Sequence, residues 1–260
     1  MASVIEKPAR GRGRQCSAAE WQMRIEVAAC YRLVHHFGLT DLIYNHITAR
    51  VPESDHHYLI NPYGLMYDEI TASNLVKIDL DGRILEDTEY EINPAGFVIH
   101  SAVHGAREDV VCVIHTHSRA GVAVSALKEG LIPVNQGGFQ FHNRVAYHDY
   151  EGFALDTEER RRLVADLGAR RVMILRNHGL LTAGRSVAEA FRLLYYLEQA
   201  CQAYLDALQT GREIVLPPEA VREHTAQQWE GGAAGIGTTV LREWPALLRM
   251  LDRRDPSYRD

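Results

Sequence analysis

The chain has 260 residues, 46% of them hydrophobic and 24% charged, with a formal net charge of −6. That length can bury a sizeable core, and the composition is that of an ordinary soluble globular protein; the negative balance excludes the basic stripe a nucleic-acid surface needs. No apolar run approaches the roughly 20 residues that cross a bilayer, so neither nucleic acid nor membrane is expected as a partner.

Residues 1–16 carry basic side chains with no apolar segment after them, which predicts a flexible arm and not a secretory signal. Residues 17–260 read as one domain with a helical C-terminal tail. Ser17-Ala18-Ala19-Glu20 is a capping box, and the helix it opens carries Trp21, Ile25, Ala28, Ala29 and Leu33 on one face, with Gly38 as its stop. Short strands follow at 45–50 and 58–61, then an Asn61-Pro62-Tyr63-Gly64 turn. Val76, Ile78 and Leu80 alternate with polar residues into an Asp81-Gly82 hairpin that returns through Arg83-Ile84-Leu85. A helix is expected over 97–106, and another over 119–129 closed by Gly130. The stretch 137–150, rich in aromatic and β-forming residues, predicts strand. A helix over 157–167 ends at Gly168. Ser186-Val187-Ala188-Glu189 caps the longest helix, which runs to about Thr210, and two further helices flank Gly231-Gly232. Cysteines 16, 30, 112 and 201 form no Cys-x-x-Cys pair and read as reduced thiols of a cytoplasmic protein. Strands interleaved with helices predict a mixed sheet with helices on its faces.

Two apolar runs end in histidine. Val110 to Ile114 leads into His115-Thr116-His117, and alternation along a strand points both rings to one side. Val172 to Leu175 leads into Arg176-Asn177-His178-Gly179, with Leu180 to Ala183 as the return strand and His178-Gly179 as the hairpin tip. Three neutral imidazoles with a position left open are the pattern of a catalytic metal. With 13 histidines in the chain, a surface or hydrogen-bonding role for each ring competes with that reading.

Tyr44-Asn45-His46-Ile47-Thr48-Ala49-Arg50, Asn61-Pro62-Tyr63-Gly64, Asn93-Pro94-Ala95-Gly96-Phe97-Val98-Ile99-His100, His115-Thr116-His117-Ser118 and Asn177-His178-Gly179 together resemble the class II aldolase/adducin family, in family order, over about residues 18–210. The resemblance implies a three-layer α/β/α sandwich around a mixed, largely antiparallel sheet. It implies a divalent ion on His115, His117 and His178, zinc first, with manganese or iron as alternatives. It further implies a homotetramer, the state of the family's sugar-phosphate aldolases, whose sites lie at subunit interfaces.

The chain departs from those aldolases at the chemistry. Gly96 stands where they keep a glutamate acid/base, and Pro94 and Ala95 stand where they keep two phosphate-holding serines. This pattern resembles the adducin-like branch. The expected activity is therefore carbon–carbon bond cleavage, by an aldol-type route or decarboxylation, of a small hydroxy or oxo acid, an aromatic one included. Alternatives are a non-haem iron oxygenase for a 2-oxo or 2-hydroxy acid, and a non-catalytic interaction module like the adducin head. Proton-transfer candidates are His100, His104, His142 and Tyr258; substrate-binding candidates are Asn45, Tyr63, Gly64 and Gly96. Each competes with a bland role in turns, helix faces or the tail.

Overall fold

A computed structural model describes residues 16–54, 56–152, 157–231 and 240–260. The arm expected at the N-terminus falls, but for Cys16, outside the described residues.

Ser17 caps α1 (Ala18–His36), its hydroxyl accepting from Glu20 N at 3.1 Å. The Glu20 carboxylate does not reach back to close the box. It accepts from Arg24 Nε at 2.9 Å and Lys77 Nζ at 3.0 Å instead, because buried Arg24 needs a counter-charge. Seven strands follow: β1 (His46–Arg50), β2 (Tyr58–Ile60), β3 (Val76–Ile78), β4 (Cys112–Thr116), β5 (Val145–His148), β6 (Val172–Leu175) and β7 (Gly179–Gly184). They form one sheet in the order β3-β2-β1-β4-β7-β6-β5. Every pairing is antiparallel except β5 with β6, as the expected mixed, largely antiparallel sheet requires.

Helices cover both faces of this sheet. Alternation splits the central strands between two cores, and Tyr58, Ile60, Val76, Ile78 and Phe97 form a third, smaller cluster at the β2–β3 end. Ile47, Ala49, Cys112, Ile114, Ile174 and Leu180 face α1 and α5 (Val187–Gln209). Val113, Met173, Leu175, Leu181 and Ala183 face α2 (Pro94–Ala106) and α4 (Thr157–Leu167). The expected three layers are thus present. α3 (Arg119–Ser125), α6 (Glu219–Gly231) and α7 (Val240–Arg254) are the other α-helices among the described residues.

Local boundaries differ from the sequence expectation where side chains or distant backbone intervene. α2 begins at Asn93-Pro94, since a proline in the first turn has no N–H to lose. α3 stops at Ser125, not at Glu129: Asn177 N takes the Ser125 carbonyl at 3.3 Å and Arg176 Nη1 takes that of Leu127 at 2.6 Å. Of 137–150, only 145–148 is strand. Gly138–Phe141 is a 3-10 turn whose start is capped by Asn135 Oδ1 at 2.7 Å from Gly138 N. Past Gly82 the hairpin keeps a single bridge, Ile78 with Ile84.

Candidate metal centre

Register brings the histidines together. β4 lies between β1 and β7, with His115 opposite His46 on one side and Leu181 on the other. His117 follows the strand's last residue. The β6–β7 hairpin turns through Arg176–His178, and Gly179 is already strand, paired with Leu175. Asn177 takes φ +54, a left-handed conformation that asparagine tolerates better than most residues. Gly179 has no alternative: a Cβ there would overlap the carbonyl oxygen of Thr116. The turn therefore lies against the exit of β4. His115 Nε2 is 3.1 Å from His117 Nε2 and 3.2 Å from His178 Nε2, and the three ligating atoms lie within 4.8 Å of one another.

Hydrogen bonds at the opposite ring nitrogens decide what those Nε2 atoms are. His115 Nδ1 donates to Leu180 O and His117 Nδ1 to Asp41 Oδ2, each at 2.9 Å. In the neutral rings both Nε2 atoms then carry lone pairs, and lone pairs at 3.1 Å repel unless a cation joins them. A proton is a poor candidate. Burial, then the neighbouring His178 and His117, hold His115 well below the ordinary histidine range, and burial and then His117 hold His178 at about 4. Two nitrogens about 2.0–2.1 Å from one tetrahedral ion are roughly 3.3–3.4 Å apart, so the donor set fits a divalent metal. The Asp41–His117 bond is the carboxylate–imidazole support found behind metal-ligating histidines.

Behind His115 lies a second, closed layer. The ring of His46 sits 6.2 Å from that of His115 and 4.0 Å from that of His100. Thr48 Oγ1 lies 2.7 Å from His100 Nδ1 and 2.8 Å from His104 Nε2. One hydroxyl has one proton, so it donates to one ring and accepts from the other, coupling their tautomers. Burial, chiefly, lowers both: His100 well below the usual range, and His104 to about 3 with Arg50 adding to the effect. Both rings are neutral, and His100 Nε2 is buried without a hydrogen bond to any of the described residues.

The other expected site residues divide. Asn45, at φ +69, accepts from His117 N at 3.1 Å through Oδ1, while its buried Nδ2 has no partner among the described residues. Tyr63 is 40% exposed and adjoins Gly64, at φ +100, on the turn after β2. Gly96 lies in the first turn of α2, four residues ahead of His100; its surroundings fall outside the described residues. His142 is not brought to His115, His117 and His178. It precedes β5, and β5 runs parallel to β6, whose opposite end feeds the His178 turn; Arg222, Glu223, Glu219 and Arg144 surround it. Tyr258 is also elsewhere. It is buried among the residues of the α1 core and donates to Asp252 Oδ1 at 2.8 Å, in an ordered 3-10 turn and not a loose tail. Burial, then that bond, raises its pKa.

Sequence reading missed Asp41, a loop carboxylate 76 positions from its histidine, and Tyr150, whose half-exposed ring is centred 6.5 Å from that of His178. Neither lies in a periodic pattern that would mark it.

Residues 25–205 match the family model described as Class II Aldolase and Adducin N-terminal domain. The fold is similar to that of an aldolase II superfamily protein from Pseudomonas syringae, at 52% identity and TM-score 0.89, over 95% of this chain and 98% of that one. It is also similar to an L-fuculose 1-phosphate aldolase from Glaciozyma antarctica PI12, at 26% identity and TM-score 0.81, over 98% and 97%. Alpha-adducin of Rattus norvegicus is 41% identical over 88% of this chain, which spans 33% of that protein.

Proposed function

The chain belongs to the class II aldolase and adducin family, and on that premise we propose that it is a divalent-metal-dependent carbon–carbon lyase. Its substrate is a small hydroxy or oxo acid, aromatic acids included, cleaved by an aldol-type step or by decarboxylation. The observation that carries this is the convergence of three imidazole nitrogens, two of them committed to lone pairs, within one ion's reach. His115, His117 and His178 would hold the ion, zinc first, with manganese or iron as alternatives. When bound, the ion supplies Lewis acidity toward a carbonyl or hydroxyl oxygen, which accommodates the charge that either reaction leaves beside a carbonyl.

The chain's own groups supply the rest. Asn45 holds the His117 backbone with its oxygen and keeps a free N–H donor beside it for a substrate carboxylate or hydroxyl. With glycine at 96, proton transfer falls to another group. Of the four candidates His100 stands behind the ligand layer, one ring removed from His115, with Nε2 uncommitted. His104 is locked to Thr48 and supports His100. The Tyr63–Gly64 turn is proposed to close over substrate, and Gly96 to leave room for a larger one. A cytoplasmic homotetramer belongs to the same proposal.

A second reading, a non-catalytic interaction module, is favoured by the likeness to alpha-adducin. Metal analysis of protein purified without chelator, followed by assay of small hydroxy and oxo acids for aldehyde or carbon dioxide release, separates them. One zinc or manganese per chain, with turnover, is expected, and both should vanish in His117→Ala. Iron with oxygen uptake would mean an oxygenase, and metal-free, inert protein would leave the module.

A further inference from the structure

Glu198 is a buried carboxylate, 2% exposed, on α5. Its oxygens accept four hydrogen bonds: Oε2 from Ser118 Oγ at 2.6 Å and Gly121 N at 3.0 Å, Oε1 from Ala120 N and Gln202 Nε2 at 3.2 Å each. A carboxylate has about four lone-pair sites, so none is spare. Ser118 occupies the N-cap of α3 yet makes no cap bond of its own; its hydroxyl points outward to Glu198. The second and third helical N–H groups, normally satisfied by the cap side chain, are taken by a residue 77–78 positions away. The same corner is pressed on the other side by β7, since a Cβ on Gly121 would overlap Leu180, whose carbonyl orients His115.

We propose that Glu198 is a positioning residue for the metal centre: by capping α3 from α5 it pins the backbone that leaves His117, as Asn45 pins the backbone that enters it. Asn45 holds the His117 N–H, and Glu198 holds the Ser118 hydroxyl and the Ala120 and Gly121 N–H groups, so the imidazole is placed without either the carboxamide or the carboxylate touching an ion. This rests on His115, His117 and His178 being the metal ligands.

The test uses the full chain, with zinc titrated against a chromophoric chelator, cobalt(II) d–d spectra, and amide hydrogen exchange on metal-free protein. Glu198→Gln presents an amide donor where donors already point. It should remain folded, bind zinc about tenfold more weakly, shift the cobalt bands and speed exchange at Ala120 and Gly121. Wild-type zinc affinity and an unchanged cobalt spectrum in that variant would overturn the proposal. Should it not fold, Ser118→Ala, which removes one of the four bonds, serves: a smaller loss supports the proposal and an unchanged affinity overturns it. Leu194→Ala opens a cavity on the same helix and should lower Tm with zinc affinity intact; an equal zinc loss there would make Glu198 mere scaffold and overturn the positioning role. Equal zinc binding by wild type and His117→Ala would sink the metal reading itself, and this proposal with it.

Discussion

At the scale of single residues, two hydrogen bonds decide the chemistry of the centre. Leu180 O and the Asp41 carboxylate occupy Nδ1 of His115 and His117, which leaves each Nε2 as an acceptor aimed at its neighbours. Asp41→Ala is expected to weaken zinc binding about 10–100-fold, because the ring loses both its orientation and its partner charge. Stability should change little, as the Asp41 side chain is 44% exposed. Equal zinc affinity in the variant, read by chelator competition, would show that the strand end alone orients His117. The three histidines themselves were legible in the sequence: alternation along an apolar strand predicts that His115 and His117 share a face, and a second apolar run ends at His178. Asp41 was not, because a loop aspartate has no periodicity and meets its histidine only through the β1–β4 pairing.

Among the elements, the β6–β7 hairpin and its packing on β4 position His178. Gly179→Ala would drive a methyl group into the Thr116 carbonyl, and the strand must shift to admit it. We expect a loss of about 1–3 kcal/mol, together with weaker zinc binding, because the same shift moves His178. A thermal melt and a zinc titration check both; a variant with wild-type Tm would mean that β4 and β7 can separate at no cost. Most elements were readable, because capping residues and stop glycines act locally: Ser17 and Ser186 each cap the helix expected of them, and Gly38 ends α1 in a left-handed turn at φ +69. Of those that differ, α3 does so for a non-local reason, giving up carbonyls to the His178 turn, whereas 138–141 is drawn out of the strand pattern by a nearby side chain, Asn135, three residues before Gly138.

For the whole molecule, the sheet separates the core under α1 and α5 from the side covered by α2, and neutral His100 and His104 are buried between α2 and β1. His104 ionises near its ordinary value of 6.5 when unfolded but resists protonation until about 3 in the folded chain, through burial and then Arg50. Between these values the unfolded chain binds more protons, so stability from this residue rises with pH. It is fully present above about 6.5 and is lost as pH falls toward 3. Urea denaturation at pH 7.5 and 5.0 should show wild type losing up to about 1.4 kcal/mol per pH unit from this group. His104→Gln should show a correspondingly flatter dependence, and equal slopes would mean that His104 takes up its proton without unfolding. His100 and His104 are four residues apart on a helix, so their shared face could be read in advance; their closure beneath Thr48 could not.

By itself the sequence determined the element order, the mixed sheet and the three histidines worth watching. Each of those rests on interactions within a few residues, on periodicity, caps and turns. Tertiary structure alone decided that those histidines meet, that Asp41 and Glu198 stand behind them, and that His142 and Tyr258 do not. Strand order and register set these contacts between residues many tens of positions apart, and no local pattern along the chain encodes that pairing.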